Sequence, residues 1–189
     1  MAIGVLAVQG AAREHLEMLR RLGVEARPVR TAREIEASDA LILPGGESTT
    51  IGKLMARYGL LEPVRQLAAE GKPLLGTCAG MILMAKEIHA AGKEQPSLGV
   101  MDIAVQRNAF GRQIASFEAD LDIEAVEGGP FHAVFIRAPV ISSVGREVAV
   151  LAAHEGRTVA ARQGNMLALA FHPELSDDTR LHAYFLGMR

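Results

Sequence analysis

Several residue types are scarce in this chain of 189 residues, and each scarcity excludes a class of protein. Cysteine occurs once, so the chain cannot form an internal disulfide, which fits a reducing compartment and predicts a cytoplasmic protein. Tryptophan is absent and aromatic residues make up 4% of the chain, which argues against platforms for stacking nucleic-acid bases. The net charge of −2 implies no strongly basic face, so we expect no nucleic-acid partner.

Long apolar runs are also missing. No stretch reaches the roughly 20 residues needed to cross a bilayer, so we expect no membrane association. Residues 1–8 are apolar but lack a basic n-region, and Gln9 ends the run early, so we interpret them as a first core strand and not as a signal peptide. The apolar content of 49% can supply a sizeable core, and the length predicts a single domain over residues 1–189.

The first half of the sequence alternates strand-like and helix-like segments. A continuous apolar run predicts a strand buried on both faces over residues 3–8, and further strands are predicted over residues 24–29, 40–43 and 74–77. Amphipathic runs predict helices over residues 13–22, 32–37, 48–58 and 61–70. Ser48 or Thr49 is the expected cap of the third helix. The alternation predicts an α/β fold with a mostly parallel central sheet and helices on both faces.

The second half has shorter runs of β-forming residues, separated in several places by glycine. We expect antiparallel hairpins here, either finishing the sheet or packing beside it. A further buried strand and a closing helix are predicted at the end of the chain. The predicted strands cover residues 100–105, 133–136, 148–151, 158–161 and 167–171, and the helix covers residues 177–187.

The single cysteine, Cys78, lies where a predicted strand turns into a helix-like run at residues 81–87. Its neighbours give the pattern G-x-C-x-G, which matches the G-x-S-x-G nucleophile elbow. Small flanking residues let the chain bend sharply there and push the nucleophile outward. The pattern therefore predicts a catalytic thiol, and the alternative is a buried, inert cysteine. The segment is Gly76-Thr77-Cys78-Ala79-Gly80.

His172 and Glu174 directly follow the last predicted strand. If that strand is parallel, His172 lies at the same sheet edge as Cys78, where active sites of open α/β sheets collect. A cysteine nucleophile needs a base, and the base needs a third group to hold its tautomer. In extended chain the side chains of residues 172 and 174 point the same way, so Glu174 would orient His172. The alternative is a strand-end histidine with a solvated glutamate.

The other five histidines give no comparable pattern. Three of them fall within helical runs, and none has a carboxylate two residues on at a strand end. None forms zinc-like spacing with Cys78, so we predict neither a metal site nor a cofactor. These histidines are His15, His89, His132, His154 and His182.

A glycine pair, Gly45-Gly46, follows the third predicted strand and exposes backbone N–H groups. Acyl transfer needs donors aimed at the developing oxyanion, and the N–H groups of Gly46 and Ala79 would form such a pair. The alternative is an ordinary turn followed by a helix cap.

Together these motifs resemble the class I glutamine amidotransferases, and among them the glutaminase subunits of pyridoxal 5′-phosphate synthases. The resemblance spans nearly the whole chain, with no departure at a catalytic position. It is carried by Gln9-Gly10-Ala11, Arg13-Glu14-His15, Pro44-Gly45-Gly46-Glu47-Ser48-Thr49-Thr50, Gly76-Thr77-Cys78-Ala79-Gly80, Arg107-Asn108-Ala109-Phe110-Gly111-Arg112-Gln113, Phe135-Ile136-Arg137-Ala138-Pro139 and Phe171-His172-Pro173-Glu174-Leu175.

The resemblance implies hydrolysis of L-glutamine to glutamate and ammonia by a Cys78–His172–Glu174 triad. It also implies that ammonia passes to a separate synthase subunit, which makes pyridoxal 5′-phosphate. That compound is then a product of the pathway and not a cofactor of this chain. Two alternatives from other classes are a cysteine hydrolase of the same fold acting on peptides or small metabolites, and a regulatory subunit without activity.

Glutamine binding is assigned by the same resemblance. An arginine suits the α-carboxylate of glutamine, and a carboxylate or backbone carbonyl suits its ammonium group. For Arg107 and Arg137 the alternative is a solvated surface charge. The residues implied are Gly46, Glu47, Ser48, Arg107, Ile136 and Arg137.

Gln9 and Gly10 suggest how the partner would control the site. They end the first strand at the sheet edge of Cys78, and Gly10 allows backbone rearrangement there. Docking of the synthase beside this turn would shift the loop at residues 44–46, so that a peptide N–H turns toward the oxyanion. The alternative is that Gln9 only caps a strand.

Overall fold

The computed structural model describes residues 1–89, 95–110 and 116–188. Residues 111–113, the end of the motif that begins at Arg107, lie outside the described residues. The first half alternates as predicted: β1 (Ile3–Leu6), α1 (Ala12–Arg21), β2 (Ala26–Val29), α2 (Ala32–Glu36), β3 (Ala40–Leu43), α3 (Ser48–Arg57), α4 (Leu61–Ala69) and β4 (Leu74–Thr77).

The second half is mainly β-structure. It contains α5 (Ala79–Met84), β5 (Ala85–His89), β6 (Met101–Gln106), β7 (Ser116–Leu121), β8 (Phe131–Ile136), β9 (Val140–Val144), β10 (Ala149–His154), β11 (Arg157–Gln163), β12 (Met166–Leu169), a 3₁₀ turn at Pro173–Leu175 and α6 (Arg180–Gly187). Among the described residues, no helix is both long enough and apolar enough to cross a membrane.

The main sheet has the order β2-β1-β3-β4-β12-β11-β9-β6-β5, with β10 paired to β11. The strands from β2 to β12 run parallel, and β12 pairs antiparallel with β11. The β7–β8 hairpin is antiparallel and forms a separate small sheet. This confirms the predicted α/β fold with a mostly parallel sheet and antiparallel additions in the second half.

The chain leaves β1 toward β2 and then crosses back to β3, so the order reverses at β1 and β3. Right-handed crossovers then place α1 on one face and α2 to α4 on the other. Ligands in such sheets bind beyond the carboxyl ends of the strands at this reversal. The turn after β1 contains Gln9 and Gly10, and the loop after β3 contains Gly45 and Gly46, so both segments lie at this position.

The prediction of a helix over residues 81–87 is wrong for residues 85–87. The chain is helical only over Ala79–Met84 and then forms β5, which pairs with β6. Residues 81–84 are buried, whereas Lys86 and Glu87 are exposed. A longer helix would carry these charges toward the core. The chain instead emerges as an edge strand, where Lys86 Nζ lies 3.0 Å from Asp102 Oδ1.

Candidate active site

Cys78 occupies a sharp turn between β4 and α5. Its backbone has φ 48° and ψ −100°, a strained conformation for a residue other than glycine. The flanking glycines explain how the chain bends here. A Cβ added at Gly80 would overlap the carbonyl of Leu43, and one added at Gly76 would overlap Gly80. The thiol is almost buried, with 7% of the residue exposed.

His172 and Glu174 form a close pair beside this turn. His172 Nδ1 lies 2.7 Å from Glu174 Oε1, and both residues are nearly buried. The local backbone differs from the prediction of extended chain. Residues Pro173–Leu175 form a 3₁₀ turn, and the N–H of Leu175 donates to the His172 carbonyl at 3.2 Å. This turn, and not an extended strand end, brings the Glu174 carboxylate to the ring.

The environment holds a proton on His172. Burial lowers the pKa of His172, but hydrogen bonding to Cys78 and to Glu174 outweighs it and raises the pKa to about 10. Burial raises the pKa of Glu174, but the contact with His15 and the hydrogen bond from His172 are stronger and lower it. Glu174 is therefore a carboxylate that accepts from His172 Nδ1–H.

A cavity of about 310 Å³ opens over Cys78 and His172. Its lining includes most of the residues that the sequence predicted for the site: Gln9, Gly46, Glu47, Ser48, Cys78, Arg107, Ile136, Arg137 and His172. Two further lining residues, Ile82 and Asn108, were not predicted as site residues. Glu174, Gly10 and Ala79 are not part of the lining.

Strained backbone is concentrated around this cavity. In the described ranges, positive φ outside glycine occurs at Cys78, Asn108, Arg137 and Glu155, and the first three of these line the cavity. Such conformations persist where the surrounding structure enforces them, and they are frequent at functional sites. The carbonyl oxygen of Ile136, the residue before Arg137, lies 3.8 Å from Cys78 Sγ.

Glu47 caps helix α3, which corrects the predicted cap at Ser48 or Thr49. Its carboxylate accepts hydrogen bonds from the backbone N–H groups of Thr49 at 3.1 Å and Thr50 at 2.7 Å. Partial burial raises the pKa of Glu47, but hydrogen bonds from Thr50 and Thr49 outweigh it and lower the pKa to about 2. The glutamate reaches both amides from one residue before the helix, so Ser48 is left as a buried first helical residue.

Arg107 is held at the cavity edge by three side chains. Its Nη1 donates to Gln95 Oε1 at 2.8 Å and to Thr49 Oγ1 at 3.3 Å, and its Nη2 lies 3.3 Å from Glu47 Oε1. This guanidinium is therefore not the solvated surface charge of the alternative interpretation. Gln95 was not predicted, because no motif surrounds it in the sequence.

The turn after β1 is hydrogen-bonded to the loop after β3. Gln9 Oε1 accepts from the backbone N–H of Glu47 at 3.1 Å, and the N–H of Ala11 donates to the Gly45 carbonyl at 3.0 Å. Gly10 has φ 100°, and a Cβ there would overlap the Gly45 carbonyl. Gln9 therefore contacts the loop that contains Gly46.

Two histidines that the sequence argument set aside lie behind the His172–Glu174 pair. His15 on α1 and His182 on α6 are both fully buried and in contact with each other. No spacing rule could have found them, because α1 and α6 are far apart in the sequence. The described residues contain no group of three or more histidine, cysteine or acidic side chains able to hold a metal ion.

Known proteins resemble this chain along its full length. The sequence model of the SNO glutamine amidotransferase family matches residues 5–189. Two curated relatives carry the name pyridoxal 5′-phosphate synthase subunit PdxT. The protein from Moorella thermoacetica is 56% identical over 188 residues, covering 100% of this chain and 99% of the relative. The protein from Herpetosiphon aurantiacus is 58% identical over 190 residues, covering all of both chains.

Solved structures agree with the fold. A crystal structure titled as a glutamine amidotransferase superposes with a TM-score of 0.93 at 55% identity, covering 98% of this chain and 97% of the other. The PurLQS structure from Thermotoga maritima matches with a TM-score of 0.73 at 18% identity, covering 98% and 96%. The second similarity is one of fold alone.

Proposed function

Because this chain belongs to the SNO glutamine amidotransferase family, we propose that its hydrolysis of L-glutamine uses Cys78 as nucleophile, with His172 and Glu174 as its relay. The chain is the glutaminase subunit that supplies ammonia to a synthase subunit for pyridoxal 5′-phosphate synthesis. The observation that carries the residue assignment is the buried His172–Glu174 pair, 2.7 Å apart, whose His172 lines one cavity together with the strained Cys78.

The reaction follows from these groups. The Cys78 thiolate attacks the side-chain amide carbon of glutamine, and the C–N bond breaks as His172 gives its proton to the leaving ammonia. This forms a glutamyl thioester and leaves His172 neutral. His172 then takes a proton from water as the water oxygen attacks the thioester, and glutamate and the thiolate are released. Glu174 stabilises the imidazolium and holds its Nδ1–H.

We propose that other residues lining the cavity over Cys78 and His172 recognise glutamine. Gly46, Glu47 and Ser48 would contact the substrate from one wall, chiefly through backbone groups, because the Glu47 carboxylate already caps α3. Arg107 and Arg137 would hold the α-carboxylate, with Ile136 beside them. The N–H groups of Gly46 and Ala79 would stabilise the oxyanion of the tetrahedral intermediate.

Control by the synthase would act through Gln9 and Gly10. The hydrogen bonds of Gln9 and Ala11 to the loop at residues 45–47, and the close packing of Gly10 against Gly45, support this proposal, since a partner docking at the turn would move the loop. We further propose that residues 1–189 act as one glutaminase domain in the cytoplasm, the compartment that a single cysteine favours.

A glutamate-release assay tests the triad assignment. Native chain, Cys78→Ala and Cys78→Ser are compared with and without the synthase subunit, and their folding is checked by circular dichroism. Both variants should lose hydrolysis and keep the native spectrum, and an alkylating glutamine analogue should label Cys78 alone in the native chain. Ordinary turnover by Cys78→Ala would show that another group is the nucleophile.

A further inference from the structure

A chain of buried polar groups continues behind Glu174, away from the substrate cavity. Glu174 Oε1 is used by His172, but Glu174 Oε2 has no hydrogen-bond partner of good geometry among the described residues. The nearest donor is His15 Nε2, at 3.4 Å, and both side chains are completely buried. A buried carboxylate oxygen without a donor is costly, and His15 Nε2 is the described group placed to reduce that cost.

His15 is held in turn by two other buried groups. Its Nε2 also lies 3.2 Å from Thr77 Oγ1, and its Nδ1 lies 2.9 Å from His182 Nε2. These contacts join α1, β4 and α6 around the 3₁₀ turn that carries Glu174. His15, Thr77 and His182 all have 0% exposure, so none of them reaches bulk solvent.

The tautomers of both histidines follow from this geometry. Glu174 Oε2 can only accept and the Thr77 hydroxyl can accept as well, so a proton on His15 Nε2 suits both neighbours and leaves Nδ1 as an acceptor. His182 then donates from Nε2, and its Nδ1 is left unprotonated. This agrees with the surroundings of His182 Nδ1, which has no hydrogen-bond partner among the described residues. An unpartnered N–H at that position would be the more costly arrangement.

Both histidines are neutral at physiological pH. Burial lowers the pKa of His15 and is stronger than the attraction of Glu174 and Glu14; the imidazolium of His172 lowers it further. Burial, with a smaller effect of His15, lowers the pKa of His182 to about 3. Two neutral rings therefore provide a directed pair of hydrogen bonds without adding charge beside the triad.

We propose that His15 is a positioning residue for this reaction: it fixes the Glu174 carboxylate, and His182 fixes the tautomer of His15. The order is Cys78, His172, Glu174, His15, His182, and the last two do not touch the substrate. The inference rests on the proposed triad. In this arrangement Glu174 cannot rotate away from His172 without breaking its contact with His15.

The test compares His15→Leu with His15→Gln in the complex with the synthase. Leucine removes the donor, so kcat should fall roughly ten- to a hundredfold, the loss expected for a hydrogen bond to a charged group, with KM changed less than about twofold. Glutamine keeps an N–H group near the position of Nε2 and should recover most of kcat. Leu19→Ala is the matched control, since it removes a buried side chain one turn along α1.

The pH profile separates positioning from simple destabilisation. Without His15, Glu174 has one donor fewer and protonates more readily, so the acid limb of kcat/KM should move to higher pH in His15→Leu. The groups facing His15 that could contribute are Glu174, Glu14, His172 and His182. Leu19→Ala should lower Tm but leave kcat and the acid limb unchanged.

Long-range ¹H–¹⁵N spectra of the native chain test the tautomers independently of activity. Both His15 and His182 should show the proton on Nε2, and a proton on His15 Nδ1 would overturn the proposal. The proposal would also be overturned if His15→Leu lowered Tm as Leu19→Ala does but kept full kcat. If Cys78→Ala retained turnover, the triad itself would be wrong. If that variant is inactive and His15→Leu is fully active, only the role of His15 fails.

Discussion

Gln9 Oε1 accepts a hydrogen bond of 3.1 Å from the backbone N–H of Glu47, and so connects the end of β1 to the loop that carries Gly46. A second hydrogen bond between the same two segments runs from Ala11 N–H to the Gly45 carbonyl, at 3.0 Å. A movement of the turn at Gln9 would therefore act on the loop beside the thiol through these two hydrogen bonds.

This relationship predicts that Gln9→Ala uncouples activity from the partner. The native chain alone should be a poor glutaminase and should be stimulated by the synthase. Loss of one oxyanion donor costs about 10²–10³ in rate, which is large enough for a switch. Gln9→Ala should be stimulated far less, because the loop no longer follows the turn. Glutamate release is measured for each chain with and without synthase.

The control for this experiment is Gln66→Ala, an exposed glutamine in α4 that bonds only Glu70 among the described side chains. It should be stimulated as fully as the native chain. Equal activity of the native chain with and without partner would contradict the switch. Full stimulation of Gln9→Ala would exclude Gln9 from it.

The relay predicts unequal losses for its two members. His172→Asn should be nearly as damaging as Cys78→Ala, because members of a catalytic unit are strongly non-additive. Glu174→Gln should lose less activity than His172→Asn, by a factor of about ten to a hundred. Its amide oxygen can still accept from Nδ1–H but cannot stabilise the imidazolium. Single-turnover glutamate release measures both. Near-normal activity of His172→Asn would require a different base.

Substrate binding predicts a separate effect for the arginines. Replacing Arg107 or Arg137 by Met should raise KM about ten- to a hundredfold, and more than it lowers kcat, because uniform binding is lost. Arg57→Met, an exposed arginine at the end of α3, is the control and should leave both constants unchanged. A fall in kcat at constant KM would place that arginine among the groups that act on the transition state.

The sequence predicted the first half of the fold closely because local signals there agree with the tertiary structure. Residues 40–43 and 74–77 are short apolar runs between turn residues, and both are strands with those limits. The strand at residues 116–121 was missed because it is short and half exposed. Apolar and charged residues alternate along it, so it contains no apolar run. Residues 140–144 were missed too, although they pair with β6 and β11.

The predicted site depended on motifs, and the unpredicted parts depended on distant contacts. The elbow at Cys78 is specified locally by two glycines. The 3₁₀ turn at Glu174 is not, because it depends on packing against α1. Neither the contact of Gln95 with Arg107 nor that of His15 with Glu174 leaves a spacing signal, since each joins elements that only the folded chain brings together.

The neutral histidine pair predicts acid lability of the fold. The pKa of His182 is lowered from 6.5 to about 3 in the folded chain, and that of His15 is also lowered. Below pH 6.5 the unfolded chain therefore binds more protons than the folded one, so this part of the stability is complete above pH 6.5 and declines as the pH falls toward 3. The neutral ring of His182 contributes a slope of about 1.4 kcal/mol per pH unit inside that window.

His172 changes the free energy of unfolding with pH in the opposite direction to the buried pair, and in a different pH range. Its pKa is raised to about 10, so its stabilising effect is complete below pH 6.5 and is lost as the pH rises through about 10. Carboxylates with a lowered pKa, such as Glu47, also contribute to the slope as the pH falls, so urea unfolding at pH 4.5, 5.5 and 6.5 is compared between the native chain and a His182 variant that share them. His182→Leu should make the unfolding free energy less dependent on pH. The reduction in slope should correspond to about one proton fewer taken up on unfolding. Leu181→Ala, a buried neighbour in α6, should lower stability at every pH without changing the slope. A His182→Leu variant with the native slope would mean that His182 is not a buried neutral ring in the folded chain.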